Sequence, residues 1–449
     1  MNGVEASRIR PGAPQQAEWA AEFQAERAAR VPPMIHSRRA HLWVLAFALA
    51  ASCDGCFGCK TSPLDNTNTT IPRTCKAEAP LIEPQKLDIL FVIDNSNSMR
   101  EEQEAVAREL TAFIDQIKQA GGVRQDFNVG VITTSVYQHT TQNGVVFNRD
   151  FPGQSGRLQP VPDANPDGGG VLLGTGTQRI LTGEDPDLVS KFSRLVQQGT
   201  GGSGQETPFE AVRLALLTDL VSRPVSEGGN GGFLRDGARL LVVVLTDEDD
   251  CSETARPSMV KISDNPAIAD CTQQSMSLTT VSEYHRQFTG ELKNADGLPK
   301  EVIWTAIAPV GRATKAAMEL VEDGRVKNID CPTSVQGGLR HRQMAELFDP
   351  TLTNLDSICR DSFRQTLITI AELASVSQQI EVKNAPDPRM LQFSITRKDN
   401  SVVQCTQLNG GLENVTLVEG TNTTRIRFGG QCRRRADDQG IGIKLLCAT

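Results

Sequence analysis

Three small polar residues, Asp94, Ser96 and Ser98, stand directly after a short apolar run, residues 87–93 (LDILFVI). One carboxylate and two hydroxyls in so tight a loop suit a hard cation such as Mg²⁺, which prefers oxygen ligands in octahedral order. Ser98 and Glu101 also fit a capping box at a helix start, and Asp and Ser are ordinary turn residues. The loop alone therefore leaves open both a metal site and a simple helix start.

The segments around this loop predict a strand followed by a helix. The run 87–93 is rich in strand formers, and Val106, Leu110, Phe113 and Ile117 recur along one helical face after it. In open α/β sheets, ligands bind beyond the carboxyl ends of the strands, which is where such a loop lies. The position of the loop therefore favours a ligand site.

Further strands are predicted at residues 127–134, 239–247 and 301–310. The run 239–247 (RLLVVVLTD) is almost continuously apolar, which is typical of a parallel strand covered on both faces. Between the strands, a glycine loop at residues 201–206 leads through Thr207 and Pro208 into a helix. We predict an α/β fold over residues 86–381, with a doubly wound, mostly parallel sheet.

The three segments together resemble the von Willebrand factor type A (VWA) domain with its metal-ion-dependent adhesion site. The matching features are D-x-S-x-S after a strand, T-P-F-x-A at a helix start, and T-D at the end of a later strand. The resemblance implies that the hydroxyls of Ser96, Ser98 and Thr207 bind the ion directly. It also implies that Asp94 and Asp247 act mostly through bound water.

The implied ion is Mg²⁺, with Mn²⁺ or Ca²⁺ as alternatives. An ion held mainly by neutral hydroxyls attracts a carboxylate from a partner, so the resemblance implies a protein ligand bound through an acidic side chain. Gln205 and Glu206, which stand between the glycines and Thr207, depart from the family's pattern. A VWA-like fold with weakened metal binding therefore stays open.

Two other functions compete with metal-dependent protein binding. One is an enzyme with Ser96 or Ser98 as the nucleophile, but these loops offer no His or Lys as the base. The other is a structural envelope protein whose metal site only stabilises the fold. The match to G-x-G-x-x-G at residues 199–204 follows a helix rather than a strand, so it does not indicate a dinucleotide site. We predict that the protein is not an enzyme.

An acidic run, Glu248, Asp249 and Asp250, follows Asp247. We predict a solvated loop here, with a second cation site as the alternative. Over its 449 residues the chain has a net charge of −8, which disfavours nucleic acid as a partner. Its five His residues show no zinc-ligand spacing.

Residues 34–53 have the layout of a secretory signal. Arg38 and Arg39 precede ten apolar residues, 42–51, which are too few to span a bilayer. Residues 50–53 (AASC) resemble a bacterial lipobox, so Cys53 is the predicted lipidation site, with ordinary cleavage nearby as the alternative. We expect residues 34–52 to be a signal peptide and the protein to be lipid-anchored in the bacterial envelope. Residues 1–33 are interpreted as a mis-called start or a disordered segment.

The remaining sequence predicts a Cys-bearing tether at residues 53–85 and a small β-rich appendage at 382–449. Ten cysteines besides Cys53 form an even set, which in an exported protein favours disulfides. The predicted pairs are Cys251 with Cys271 and Cys331 with Cys359.

Overall fold

The computed structural model describes residues 74–75, 81–82, 86–119, 126–142, 145–162, 177–253, 278–317, 321–322, 325–326, 328, 330–331, 333–383, 391–418 and 422–446. Its strands, in chain order, are β1 (Thr74–Cys75), β2 (Leu81–Ile82), β3 (Lys86–Ile93), β4 (Asp126–Thr133), β5 (Tyr137–Gln142), β6 (Val145–Asp150), β7 (Leu181–Thr182), β8 (Arg239–Leu245), β9 (Val302–Ala308), β10 (Val321–Glu322), β11 (Arg325–Val326), β12 (Leu355–Ser357), β13 (Gln379–Val382), β14 (Leu391–Thr396), β15 (Val402–Cys405), β16 (Leu412–Leu417), β17 (Thr424–Phe428) and β18 (Gly440–Leu446). Its α-helices are α1 (Arg100–Gln119), α2 (Leu188–Leu195), α3 (Pro208–Leu217), α4 (Val281–Gly290), α5 (Leu339–Phe348) and α6 (Arg364–Ser375).

A six-stranded sheet in the order β12-β9-β8-β3-β4-β7 is the centre of the α/β part. Every neighbouring pair is parallel except β4 and β7, which are antiparallel. The predicted strands within 87–93, 127–134, 239–247 and 301–310 are confirmed as β3, β4, β8 and β9. The protein is therefore a mixed α/β fold built on a mostly parallel sheet, as expected from the apolar runs.

Helices cover both faces of this sheet, because successive side chains of a strand point to opposite faces. Phe91 of β3 packs edge-on against Phe113 of α1 and Phe192 of α2, at ring distances of 5.6 and 5.0 Å. On the opposite face, Phe209 of α3 meets Trp304 of β9 at 5.5 Å. The first face buries α1, α2 and α6, and the second buries α3, α4 and α5. Burying one such side chain stabilises the fold by roughly 1.5–3 kcal/mol.

The C-terminal part is β-rich, in two four-stranded sheets with the orders β1-β18-β14-β15 and β16-β17-β13-β2. Both sheets contribute to one core, in which Phe393 of β14 packs against Phe428 of β17. The strands β1 and β2 come from the segment interpreted as a tether. Their pairing with β18 and β13 attaches two short pieces of that segment to the β-rich part.

Two disulfides lie within the described residues. Cys331 bonds to Cys359, which confirms the predicted pair, and Cys405 bonds to Cys432, which spacing alone did not reveal. Cys251 is also disulfide-bonded, while its predicted partner, Cys271, lies outside the described residues. Cys53, the signal peptide and residues 1–33 lie outside them as well. Among the helices described, none is long and apolar enough to cross a membrane.

Candidate metal site

The carboxyl ends of β3 and β8 bring the two predicted aspartate loops together. The strands are adjacent and parallel, and the backbone N–H of Asp94 donates to the carbonyl of Leu245 at 2.9 Å. The Asp94 carboxylate accepts hydrogen bonds from the Ser96 N–H at 2.8 Å and from the Thr246 hydroxyl at 2.6 Å. Asp94 is therefore fixed both to its own loop and to the residue before Asp247.

The two serine hydroxyls complete a continuous chain of contacts to Asp247. The Oγ atoms of Ser96 and Ser98 lie 3.0 Å apart, and the Ser98 hydroxyl donates to Asp247 Oδ1 at 3.1 Å. Within the described part of the chain, the Ser98 hydroxyl makes no bond to the backbone of α1, so it does not act as a helix cap. Four of the five predicted ligands, Asp94, Ser96, Ser98 and Asp247, are thus joined in one cluster.

Thr207, the fifth predicted ligand, stands at the start of α3 and is fully buried. Its hydroxyl donates to the carbonyl of Thr134 at 2.7 Å rather than capping the helix. The Thr134 N–H in turn donates to the carbonyl of Ile93, at the end of β3. Among the described residues, Thr207 makes no hydrogen bond to the other four predicted ligands, although its oxygen keeps lone pairs for a further partner.

Glu206 belongs to the cluster, although its sequence position was interpreted only as a departure from the family's pattern. Its side chain is fully buried, accepts a hydrogen bond from the Thr134 hydroxyl and lies near Asp94, so that burial and the charge of Asp94 both raise the Glu206 pKa. Among the described residues, the second oxygen of its carboxyl group, Oε1, has no hydrogen-bond partner. No local sequence signal separates this buried glutamate from an exposed residue of a glycine loop.

The cluster is short of positive charge. Burial, followed by the charge of Asp94, raises the pKa of Asp247 to about 8. Burial also raises the pKa of Asp94, against hydrogen bonds from Thr246 and Ser96 that lower it. Burial and the charge of Asp94 raise the pKa of Glu206 well above its usual range. Within the described residues, none of these three carboxyl groups forms an ion pair with a basic side chain.

The donors present suit a hard cation better than a soft one. Hydroxyl and carboxylate oxygens are the ligands that Mg²⁺, Mn²⁺ and Ca²⁺ take, whereas zinc sites in proteins are built largely from Cys and His. Among the described residues, no three His, Cys, Asp or Glu side chains form a metal-binding group by themselves. An ion here would therefore depend on the hydroxyls of Ser96 and Ser98 together with the Asp247 carboxylate.

The loop that carries the serines is held from several sides. The Gln103 side-chain amide donates to the carbonyls of Asp94, at 2.7 Å, and Gly199, at 2.9 Å. The N–H of Gly202 donates to the carbonyl of Asn95 at 2.8 Å. A Cβ at Gly202 would lie 2.2 Å from Asn95 Oδ1, so the close approach of the two loops requires glycine. These contacts fix the position of the loop that carries Ser96 and Ser98.

The acidic run after Asp247 is not a solvated loop, and that prediction is wrong. Asp249 and Asp250 are fully buried. Asp250 accepts the N–H of Phe209 at 3.1 Å and pairs with Arg340 Nε at 2.9 Å. Asp249 accepts the N–H of Arg340 at 2.9 Å. These carboxylates bind the N-terminal turns of α3 and α5, where backbone N–H groups lack partners within the helix. Because Asp250 already pairs with Arg340, it is an unsuitable ligand for a second cation.

Comparisons with known proteins give distant likenesses only. No protein-family model and no curated protein matches the chain. Among solved structures, it is similar to the proximal thread matrix protein 1 of the mussel byssus, with 12% identity, a TM-score of 0.29, and coverage of 67% of this chain and 50% of that one. It is also similar to the pilus adhesin SpaC of Lactobacillus rhamnosus GG, with 12% identity, a TM-score of 0.32, and coverage of 80% and 38%. The pilus adhesin RrgA of Streptococcus pneumoniae has 11% identity, a TM-score of 0.25, and coverage of 80% and 56%. The chain thus spans half or less of the first two proteins, and at such TM-scores no property passes from them to it.

Proposed function

We propose that this chain is a VWA-type protein that binds a divalent cation at the Asp94 cluster and binds a partner protein through that ion. The observation that carries the proposal is the contact chain from Ser96 through Ser98 to Asp247, beside buried carboxyl groups that have no basic partner among the described residues. A divalent ion would supply the missing positive charge. Because neutral hydroxyls are among its ligands, the ion would remain able to bind a carboxylate from outside.

A matched pair of variants tests the metal site. Ser98 and its neighbour Asn97 are both exposed, but only Ser98 contacts the cluster. Bound Mg²⁺ stabilises the folded protein by about 2.7 kcal/mol when the free ion is a hundredfold above its dissociation constant. We expect the melting temperature of the wild type and of Asn97→Ala to rise with Mg²⁺ or Mn²⁺, and that of Ser98→Ala to stay flat. An equal rise in all three would place the ion elsewhere.

A binding role fits the serine contacts better than a catalytic one. Within the described residues, the hydroxyls of Ser96 and Ser98 contact each other and Asp247, and no imidazole or amine lies in hydrogen-bond reach as a general base. The alternative of a purely structural metal site is separated by chelation. If the ion serves binding, EDTA should release captured envelope proteins while circular dichroism at 25 °C shows the fold intact. Loss of the fold in EDTA would favour the structural role.

We also propose that the protein is exported and lipid-anchored through Cys53. The disulfides Cys331–Cys359 and Cys405–Cys432 support an oxidising compartment, where such bonds persist. Metabolic labelling with a fatty acid should mark the wild type and Cys56→Ser equally and leave Cys53→Ser unlabelled. Label on the Cys53→Ser variant would refute lipidation at Cys53 and would leave the proposal of a metal site unaffected.

A further inference from the structure

The disulfide between Cys331 and Cys359 connects the edge of the main sheet to a loop that touches the candidate metal site. On one side, Cys359 follows β12, and the Ile358 N–H donates to the carbonyl of Ala308 at the end of β9 at 2.9 Å. On the other side, buried Cys331 opens a turn in which the Ser334 N–H and hydroxyl both bond to the Cys331 carbonyl. The bond therefore fixes this turn to the sheet.

The residues directly after this turn hold the backbone of Asp247. The N–H groups of Val335 and Gln336 point to the Asp247 carbonyl, at 3.0 and 3.4 Å. The Gln336 side chain also contacts the next acidic residues, because its amide oxygen accepts the Asp249 N–H at 3.3 Å and its amide nitrogen lies 3.4 Å from Glu248 Oε2. Val335, the fourth residue after Cys331, thus contacts a predicted metal ligand directly.

The position of the Asp247 carboxylate depends on this contact. The other side of the Asp247 backbone is fixed by the neighbouring Thr246, whose N–H donates to Ile307 and whose hydroxyl binds Asp94. If the loop moved away, the Asp247 carbonyl would lose its hydrogen-bond donors. The side chain of Asp247, a residue only 3% exposed, would then become more accessible to water and more mobile. Outer contacts of this kind orient metal ligands, and losing them typically costs roughly 10- to 100-fold in metal affinity.

We propose that the Cys331–Cys359 disulfide is a positioning element of the metal site, which keeps the Val335 and Gln336 N–H groups on the Asp247 carbonyl and so holds its carboxylate towards Ser98. This inference rests on the proposed metal site. It goes further by assigning a role in ion affinity to a bond that touches none of the predicted ligands.

The second disulfide is a matched control. Cys405 and Cys432 are 27 residues apart, against 28 for Cys331 and Cys359, so the chain-entropy contributions of the two bonds to stability are nearly equal. The Cys405–Cys432 bond lies in the core of the C-terminal sheets rather than beside the cluster. A merely structural disulfide would therefore behave alike in both places.

The experiment compares the wild type with Cys331→Ser/Cys359→Ser and Cys405→Ser/Cys432→Ser. We expect both double variants to melt at lower temperature in EDTA. Calorimetric titration with Mn²⁺ should show wild-type affinity in the 405/432 variant and at least tenfold weaker binding in the 331/359 variant. Equal Mn²⁺ affinity in all three proteins would overturn the inference. A wild type that binds no Mn²⁺ would refute the metal site itself, and the inference with it.

A single variant keeps the test decisive if the 331/359 double variant does not fold. Val335→Pro leaves the disulfide intact but removes the N–H that makes the shorter bond to the Asp247 carbonyl. We expect it to reproduce the loss of Mn²⁺ affinity, with Cys331 and Cys359 still bonded by mass spectrometry. Unchanged affinity in this variant would show that the contact does not position Asp247.

Discussion

Replacing Asp247 by Asn should stabilise the metal-free protein while abolishing its response to Mg²⁺. Burial and the charge of Asp94 raise the pKa of Asp247 to about 8, from an ordinary value of 3.8. Between these two pH values, the folded protein keeps a proton that the unfolded chain has released. Because the native state then binds more protons than the unfolded state, its free energy of unfolding must fall as the pH rises.

The magnitude follows from the size of this pKa change. One proton corresponds to about 1.4 kcal/mol per pH unit, so raising a pKa from 3.8 to about 8 lowers the stability by roughly 6 kcal/mol once the pH passes 8. Burial of Asp247 is the larger cause of this loss of stability, and the charge of Asp94 is the smaller. The charge of Asp94 still acts on Glu206 in the variant, so we expect about half of the loss, roughly 3 kcal/mol, to disappear. The variant and wild type should therefore be similar near pH 4 and diverge towards pH 8.

Urea unfolding in EDTA at several pH values between 4 and 8 measures this divergence. The control is Asp219→Asn, which removes a carboxylate whose side chain is 70% exposed and paired on the surface with Arg223. Since exposed ion pairs contribute little, the control should follow the wild-type curve at every pH. The difference between the two variants then isolates the buried carboxylate from general acid effects.

Mg²⁺ should reverse the order of stability. The ion favours ionised Asp247, so its binding releases a proton below pH 8 and its affinity should increase with pH up to that value. We expect Mg²⁺ to stabilise the wild type and not the Asp247→Asn variant. Parallel pH curves for the variant and wild type in EDTA would show that buried Asp247 does not destabilise the fold, and equal Mg²⁺-induced stabilisation of both would show that Asp247 does not bind the ion.

Two further variants examine the surroundings of the cluster. Gly202→Ala places a Cβ 2.2 Å from Asn95 Oδ1 and should cost about 1–3 kcal/mol of unfolding free energy and weaken Mn²⁺ binding. Gly204→Ala, whose Cβ would lie 3.5 Å from Gln138, is its control and should change neither. Glu206→Gln should keep the metal-free stability within about 1 kcal/mol in urea, because burial and the charge of Asp94 raise the pKa of Glu206 and an amide preserves a neutral donor. A loss of several kcal/mol would indicate that Glu206 is ionised in the folded protein.

The central sheet was predictable because a strand buried on both faces is apolar at nearly every position. In β3 and β8, nearly every residue is apolar, since alternate side chains enter two different cores. The adjacency of the two strands also explains why loops 150 residues apart meet. The pairing of β1 and β2 with the C-terminal sheets left no such trace, because each contributes only two residues.

The carboxylates were harder to place, because their partners are distant in sequence. From composition alone, the acidic run after Asp247 is predicted to be solvated. In the structure, Asp249 accepts the backbone N–H of Arg340 and Asp250 pairs with its side chain, although Arg340 lies about 90 residues further along the chain. Glu206 has the same difficulty. Its burial depends on Thr134 and Asp94, which follow the ends of β4 and β3, and no residue next to it signals that contact.

Asp247 and Asp250 are both buried and lie three residues apart, but only Asp250 has a basic partner among the described residues. Asp250 is paired with Arg340 at 2.9 Å, and Asp88, buried elsewhere in β3, is paired with Arg235 at 2.7 Å. Asp247 is buried to a similar degree but has no basic partner among the described residues, and the charge of Asp94 acts against its ionisation. Because the fold pairs Asp88 and Asp250 with arginines but gives Asp247 no basic partner among the described residues, we propose that a cation from solution compensates this carboxylate beside the two serine hydroxyls.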